Sequence, residues 1–185
     1  MARKVAAFLI AAMAVLAILA LTHRTAHAAL SPGEQAPVFT TQATLGENVF
    51  TFSLAGALKK GPVVLYFFPA AFTKGCTKEA HDFADAIDRY KALGATVIGV
   101  SKDSIEKLKE FGTSECRSKF AVASDADLTI ARSYDAVINF KDNLYANRVS
   151  YVIARDGKIV YSYSSLDPDQ HVANTLEALE KLKKP

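Results

Sequence analysis

Pro62-Val63-Val64-Leu65-Tyr66-Phe67-Phe68 runs directly into Pro69-Ala70-Ala71-Phe72-Thr73-Lys74-Gly75-Cys76. An unbroken apolar run of this length is the pattern of a strand buried on both faces, as in parallel sheets. After it, Ala80, Phe83, Ala84, Ile87 and Tyr90 recur at helical spacing, predicting an amphipathic helix from about Thr77 to about Leu93. Buried strand, short loop and helix make one βα unit, with Cys76 at the junction. A helix start offers unpaired backbone N–H groups and the positive end of the helix dipole. Both favour a thiolate, which is the nucleophilic form of cysteine.

Working outward, the chain keeps alternating. Upstream, Gly46-Glu47-Asn48 reads as a turn before Val49-Phe50-Thr51-Phe52, a small N-terminal hairpin, and Leu54–Lys60 as a short helix stopped by Gly61. Downstream, Ala95–Val100 is a second buried strand. Ile105–Phe111 is a helix capped by Asp103 or Ser104, with Ile105, Leu108 and Phe111 on one side. Phe120–Ala123 reads as a short strand and Asp125–Tyr134 as a short helix. Arg148–Ala154 and Lys158–Tyr163 flank the turn Arg155-Asp156-Gly157, a hairpin signal. Asn174–Lys183 is a last helix with Leu176, Leu179 and Leu182 inward. The layout is α/β: a thioredoxin-like fold, its central mixed sheet flanked by helices, with an N-terminal β-hairpin extension.

The first 28 residues have a different character. Arg3 and Lys4 precede an apolar run from Val5 to Leu21, and Ala26-His27-Ala28 fits the small-x-small cleavage rule. This is the layout of a secretory signal peptide, leaving one domain over residues 29–185. The competing layout is an uncleaved anchor; the run of about 17 residues is short for a span of roughly 20. The expectation is a periplasmic or secreted protein. The full chain holds 22 basic and 19 acidic residues. The excess is Arg3, Lys4 and Arg24, so the part after Ala28 is balanced and carries no basic footprint for nucleic acid. Its only cysteines are Cys76 and Cys116, too few for a disulfide scaffold but enough for a bridge or a redox couple. Cys76, His81 and Cys116 lack the paired short spacings of a zinc site, so neither metal nor cofactor is expected.

Reducing a peroxide requires a site that holds a thiolate, aligns the O–O bond and stabilises charge on the departing oxygen. A threonine hydroxyl, helix-start N–H groups, a rigid proline and a non-titrating arginine suit those tasks. Pro69, Thr73 and Cys76 form a Pro-x-x-x-Thr-x-x-Cys pattern that resembles the active-site motif of the peroxiredoxins. Gly33–Phe39, Val63–Phe68, Ala123-Ser124-Asp125 and Arg148–Ile153 with Asp156–Ile159 resemble further landmarks of that family, in order. Cys76-Thr77-Lys78-Glu79 is similar to the bacterioferritin-comigratory, or Q-type, branch.

The resemblance implies a thiol peroxidase acting on hydrogen peroxide and small organic hydroperoxides, recycled by a thioredoxin-like reductant, working as a monomer or weak dimer. Cys76 is then the peroxidatic cysteine, oxidised to sulfenic acid. Thr73 and Arg148 position and polarise the peroxide, Pro69 shields the sulfur, and Glu79 orients an arginine. Gly75 and Phe72 belong to the same pocket.

Many Q-type members carry a second cysteine five residues after the first; here that place is His81. Cys116, at the end of the Ile105 helix or in the loop beyond, is the candidate resolving cysteine by family likeness. A structural free thiol and a static bridge remain open. Its neighbours Glu115, Arg117, Ser118 and Lys119 are polar and argue against deep burial. His81 and His171 read as surface or packing residues. Two rival functions stand beside the peroxidase: a thiol–disulfide oxidoreductase, opposed by Glu79 where Cys-x-x-Cys needs a second thiol, and a non-enzymatic domain with one structural disulfide.

Overall fold

The computed structural model describes residues 29–183. Their strands are β1 (Thr40–Leu45), β2 (Asn48–Ser53), β3 (Val63–Phe67), β4 (Thr96–Ser101), β5 (Ala121–Ser124), β6 (Val137–Phe140), β7 (Asn143–Ala146), β8 (Val149–Ile153) and β9 (Ile159–Ser164). The helices are α1 (Leu54–Leu58), α2 (Lys74–Ala92), α3 (Ile105–Ser114), α4 (Thr129–Ser133) and α5 (His171–Lys183). Seven strands form one mixed sheet in the order β2-β1-β5-β4-β3-β8-β9. β3 pairs parallel with β4 and antiparallel with β8. The N-terminal hairpin is not a free appendage: β1 continues the sheet antiparallel to β5.

The apolar run that opened the sequence is the middle of this sheet. All five residues of β3 are buried. Val63, Leu65 and Phe67 point into one core, with Tyr134 and Tyr151. Val64 and Tyr66 point into the other, with Phe83, Phe111 and Phe120. Strand alternation sorts a continuous apolar stretch into two layers. Tyr66 stacks on Phe83, ring centroids 4.4 Å apart. Its ring also lies against Gly99 on the neighbouring strand, where a Cβ would sit 2.7 Å from the phenol.

Register then fixes the site. Phe67 pairs with Val149 across β3 and β8. Arg148, one residue before Val149, therefore lies where β3 hands the chain to the loop before α2.

Several expectations change. α2 begins at Lys74, so Cys76 lies inside its first turn rather than ahead of it. The Asp125–Tyr134 helix contracts to Thr129–Ser133, because Leu128 is left-handed (φ 60°) and the Asp125 carboxylate accepts the N–H groups of Ile130 and Ala131. The β6–β7 hairpin had no counterpart in the sequence reading; its turn places Lys141 and Asp142 at positive φ without a glycine to announce it. α5 starts three residues earlier, at His171. Leu182 is 41% exposed, at the rim of a shallow groove with Pro62 and Leu93, since the last turn runs to the edge of the core. The expected signal peptide lies outside the described residues. Among the described residues no helix is long and apolar enough to cross a membrane.

Candidate active site

Thr73 is the N-cap of α2, in extended conformation, and its carbonyl accepts the first helical bond from Thr77 N–H at 2.8 Å. The N–H groups of Lys74, Gly75 and Cys76 therefore have no intrahelical carbonyl. Cys76 sits among them, 2% exposed. Two sources of positive potential converge there: the helix start and Arg148, whose Nη2 lies 3.4 Å from Cys76 Sγ. Gly75 permits this approach, since a Cβ at that position would stand 3.0 Å from Nη2.

Arg148 is almost fully buried and is held at three points. Nε donates to the Leu166 carbonyl at 3.0 Å, Nη1 donates to Glu79 Oε2, and Nη2 faces the sulfur. Burial works against its charge, but Glu79 and Cys76 more than offset that and hold the guanidinium above its ordinary value. Glu79, wholly buried one turn along α2, is pushed the other way. Burial raises its carboxyl to about 8 despite the arginine. Oε1 of Glu79 has no hydrogen-bond partner among the described residues.

The remaining sequence candidates line the same loop. Thr73 Oγ1 donates to the Ala70 carbonyl at 3.0 Å, which fixes the loop; its hydrogen is not directed at the sulfur. Ala71 N–H donates to Asp103 at 2.7 Å, tying the loop to the start of α3. Asp103 thus braces the active loop, while Ser104 is the residue that caps α3. Pro69 is half-buried beside Phe68. Phe72 is left-handed (φ 67°), 45% exposed, and meets Phe111 edge-on at 5.3 Å.

Cys116 corrects the expectation drawn from its polar neighbours: it is fully buried. It lies in the loop past α3, and left-handed conformations at Arg117 and Ser118 turn the polar side chains out while the thiol points into the core shared with Cys76. Burial, then Glu115, pushes its thiol well up. Both cysteines are free thiols. His81 Nε2 lies 2.8 Å from Glu115 Oε2, next to Cys116. Among the described residues no cluster fits a metal ion.

Sequence reasoning gave His171 a surface or packing place and did not name Ser150. His171 Nδ1 is 2.8 Å from Ser150 Oγ and 3.6 Å from Glu79 Oε1. His171, Thr175 and Leu179 share one buried face of α5, and the expected helix start at Asn174 left His171 outside it.

A thiol in a helix first turn under a buried, fixed guanidinium, on a thioredoxin-like sheet, defines a thiol peroxidase class. Comparison with known proteins places the chain within it. Residues 32–162 match the AhpC/TSA family, and the chain belongs to that family. The chloroplastic peroxiredoxin Q of Oryza sativa subsp. japonica is 33% identical over 154 residues, covering 83% of this chain and 68% of the relative. Among solved structures, the peroxidoxin BcpB of Mycobacterium tuberculosis superposes with a TM-score of 0.75 at 30% identity, covering 84% of this chain and 99% of that one. Xanthomonas campestris peroxiredoxin Q gives a TM-score of 0.70 at 25% identity, covering 79% and 92%. The chain is a peroxiredoxin of this Q-type, bacterioferritin-comigratory likeness, and thereby a thiol peroxidase.

Proposed function

We propose that Cys76 is the peroxidatic cysteine and that the protein reduces hydrogen peroxide and small organic hydroperoxides. The observation that carries this is Arg148 Nη2 at 3.4 Å from Cys76 Sγ, on the side of the helix-start N–H groups. The thiolate attacks the terminal peroxide oxygen. An S–O bond forms, the O–O bond breaks, and the departing hydroxide or alkoxide takes up one proton. Cys76 is left as sulfenic acid, two electrons more oxidised. Arg148 and the N–H groups of the first turn stabilise the charge that passes from sulfur to the leaving oxygen. Thr73 and Pro69 shape the peroxide pocket.

Cys116 resolves the sulfenate. The Cys116 thiol gives up its proton, its thiolate attacks the Cys76 sulfur, the S–O bond breaks, and the departing hydroxide takes up that proton as water while an intramolecular disulfide forms. A thioredoxin-like dithiol then returns two electrons and two protons. On this reading the Glu115–Ser118 loop leaves its place to bring the two sulfurs together. Two side-chain contacts tie that loop to α2: His81 with Glu115 at 2.8 Å, and the ion pair of Arg117 with Asp85 at 2.5 Å. Exposed pairs contribute only about 0–1 kcal/mol each, so the larger cost of opening is withdrawing Cys116 from among Phe111 and Phe120. A disulfide needs Cα atoms within ~7 Å. The leader-like composition of the first 28 residues supports a reading in which this chemistry runs outside the cytoplasm, as antioxidant defence. Mass analysis after peroxide treatment tests resolution. A Cys76–Cys116 bridge in the wild type, replaced in Cys116→Ala by a persistent sulfenic acid, supports it. A bridge-free product from the oxidised wild type refutes it.

A further inference from the structure

Cys76 follows the end of β3, which runs parallel to β4. At the other end of these strands, a groove of about 550 Å³ opens between the β1–β2 hairpin, α1, the second half of α2 and the start of β4. Lys91, on its rim, is roughly 22 Å from Cys76 along α2 at 1.5 Å per residue. The groove is therefore separate from the peroxide site. Its volume falls within the about 300–1,000 Å³ of small-molecule sites.

The floor is rigid and apolar. Ile87, Val97 and Phe120 belong to the core and are almost fully buried. Phe120 is held edge-on against Tyr66, ring centroids 6.1 Å apart. The outer wall is different. Leu45 and Phe50 are 41% and 40% exposed, two large apolar side chains facing water across the same groove. Exposed apolar surface gathered in a concave, polar-rimmed place marks a binding site more than a single exposed side chain does.

The rim carries charge of one sign. Lys60, Lys91 and Lys119 border the groove, and no acidic residue does. Among the described residues Lys60 and Lys119 form no ion pair, and Lys91 meets only Asp88, at 3.9 Å with both side chains exposed. Glu47, two residues beyond Leu45, is held by Lys109 at 3.2 Å. The groove between α2 and α5 shows the contrast: there Lys78 and Arg89 stand beside Asp82, Asp85 and Asp169, and the charges cancel. In a chain balanced in charge after Ala28, an all-lysine rim is a local departure that favours an anion.

An apolar floor under a cationic rim fits a ligand with both characters. We propose that this groove binds a single-chain amphipathic anion of the fatty-acid type, its apolar chain against Phe50, Ile87 and Phe120 and its carboxylate among Lys60, Lys91 and Lys119. The chain removes Leu45 and Phe50 from water, and the head supplies the counter-charge the rim lacks.

Decanoate below its micelle concentration is the probe, titrated calorimetrically into the full domain. The expected result is saturable binding at one site. Decyltrimethylammonium, with the same chain and the opposite charge, should bind at least tenfold more weakly. Lys60→Gln with Lys119→Gln should weaken decanoate about tenfold, and Phe50→Ser should weaken it comparably while thermal unfolding shows the variants folded. Equal binding of the two probes to the wild type, which needs no variant, would overturn the proposal. So would the absence of saturable decanoate binding, or binding to anionic phospholipid vesicles without binding of monomeric decanoate. None of these outcomes touches Cys76, whose oxidation by peroxide is tested separately.

Discussion

Replacing Arg148 by methionine removes the guanidinium while keeping a long apolar stem. Three contacts go at once: Nη2 to Cys76 Sγ, Nη1 to Glu79 Oε2, and Nε to the Leu166 carbonyl. Only the first bears on the reaction. A hydrogen bond to a charged group contributes about 1.5–3 kcal/mol. If that is realised as charge moves from sulfur to the leaving oxygen, the rate of Cys76 oxidation falls about 10- to 150-fold. The second contact bears on stability. Breaking a buried pair costs about 3–5 kcal/mol when the remaining charge stays. Glu79 escapes much of that by taking a proton, which burial already favours up to about 8. The stability loss of Arg148→Met should therefore be modest at neutral pH and grow on the alkaline side. The double variant Arg148→Met with Glu79→Gln separates the effects: stability returns, the rate does not. The chain has no tryptophan, so oxidation is best followed by competition for hydrogen peroxide against a haem peroxidase, with thermal unfolding alongside. A single-variant rate within about threefold of wild type, less than ~1 kcal/mol of transition-state stabilisation, would refute the assigned place of Arg148. Recovery of rate in the double variant would do the same.

Other outcomes follow from the same geometry. Gly75→Ala places a methyl 3.0 Å from Arg148 Nη2; oxidation of Cys76 should slow several-fold, roughly 1 kcal/mol, with unfolding temperature nearly unchanged. Gly99→Ala drives a Cβ to 2.7 Å from the buried Tyr66 ring; overpacking of this kind costs about 1–3 kcal/mol, read by denaturant unfolding, and a neutral result would contradict the described packing. Stability against pH carries a signature of the buried pair. Glu79, raised from 4.5 to about 8, binds more protons folded than unfolded, so its contribution falls as pH rises through that range. His171, lowered from 6.5 to about 4, acts oppositely over its own range. The two offset each other between 4.5 and 6.5. Between 6.5 and about 8 only Glu79 remains, and wild type minus Glu79→Gln should lose stability at up to ~1.4 kcal/mol per pH unit. A difference that rises with pH there would contradict the burial of an ionisable Glu79.

The parts of the fold legible in the sequence were those where one signal dominated. The apolar β3 run, the α2 periodicity and the Arg155–Gly157 turn each have one physical reading, and each element is found, α2 with its start moved from about Thr77 to Lys74. Gly157 is at φ +85°, as the turn requires. The β6–β7 hairpin was not legible, because Lys141 and Asp142 adopt left-handed conformations that glycine would have advertised. At the site, Cys76, Glu79 and Arg148 were named and the structure brings them together. Burial of Cys116 was misread because composition averages over a turn: Arg117 and Ser118 face out while the residue between Glu115 and Arg117 faces in. His171 was given only a surface or packing place because an isolated histidine carries no spacing signal. Its burial arises only when α5 packs on β8 and sets it beside Ser150.

The central claim is that Cys76 is the thiol that meets peroxide. Reduced protein treated with near-stoichiometric hydrogen peroxide, trapped with a sulfenic-acid-specific dione and read by peptide mass analysis, tests it most directly. In Cys116→Ala, where no bridge competes, the account predicts a single adduct on the peptide bearing Cys76. Unmodified Cys76 under those conditions would contradict it.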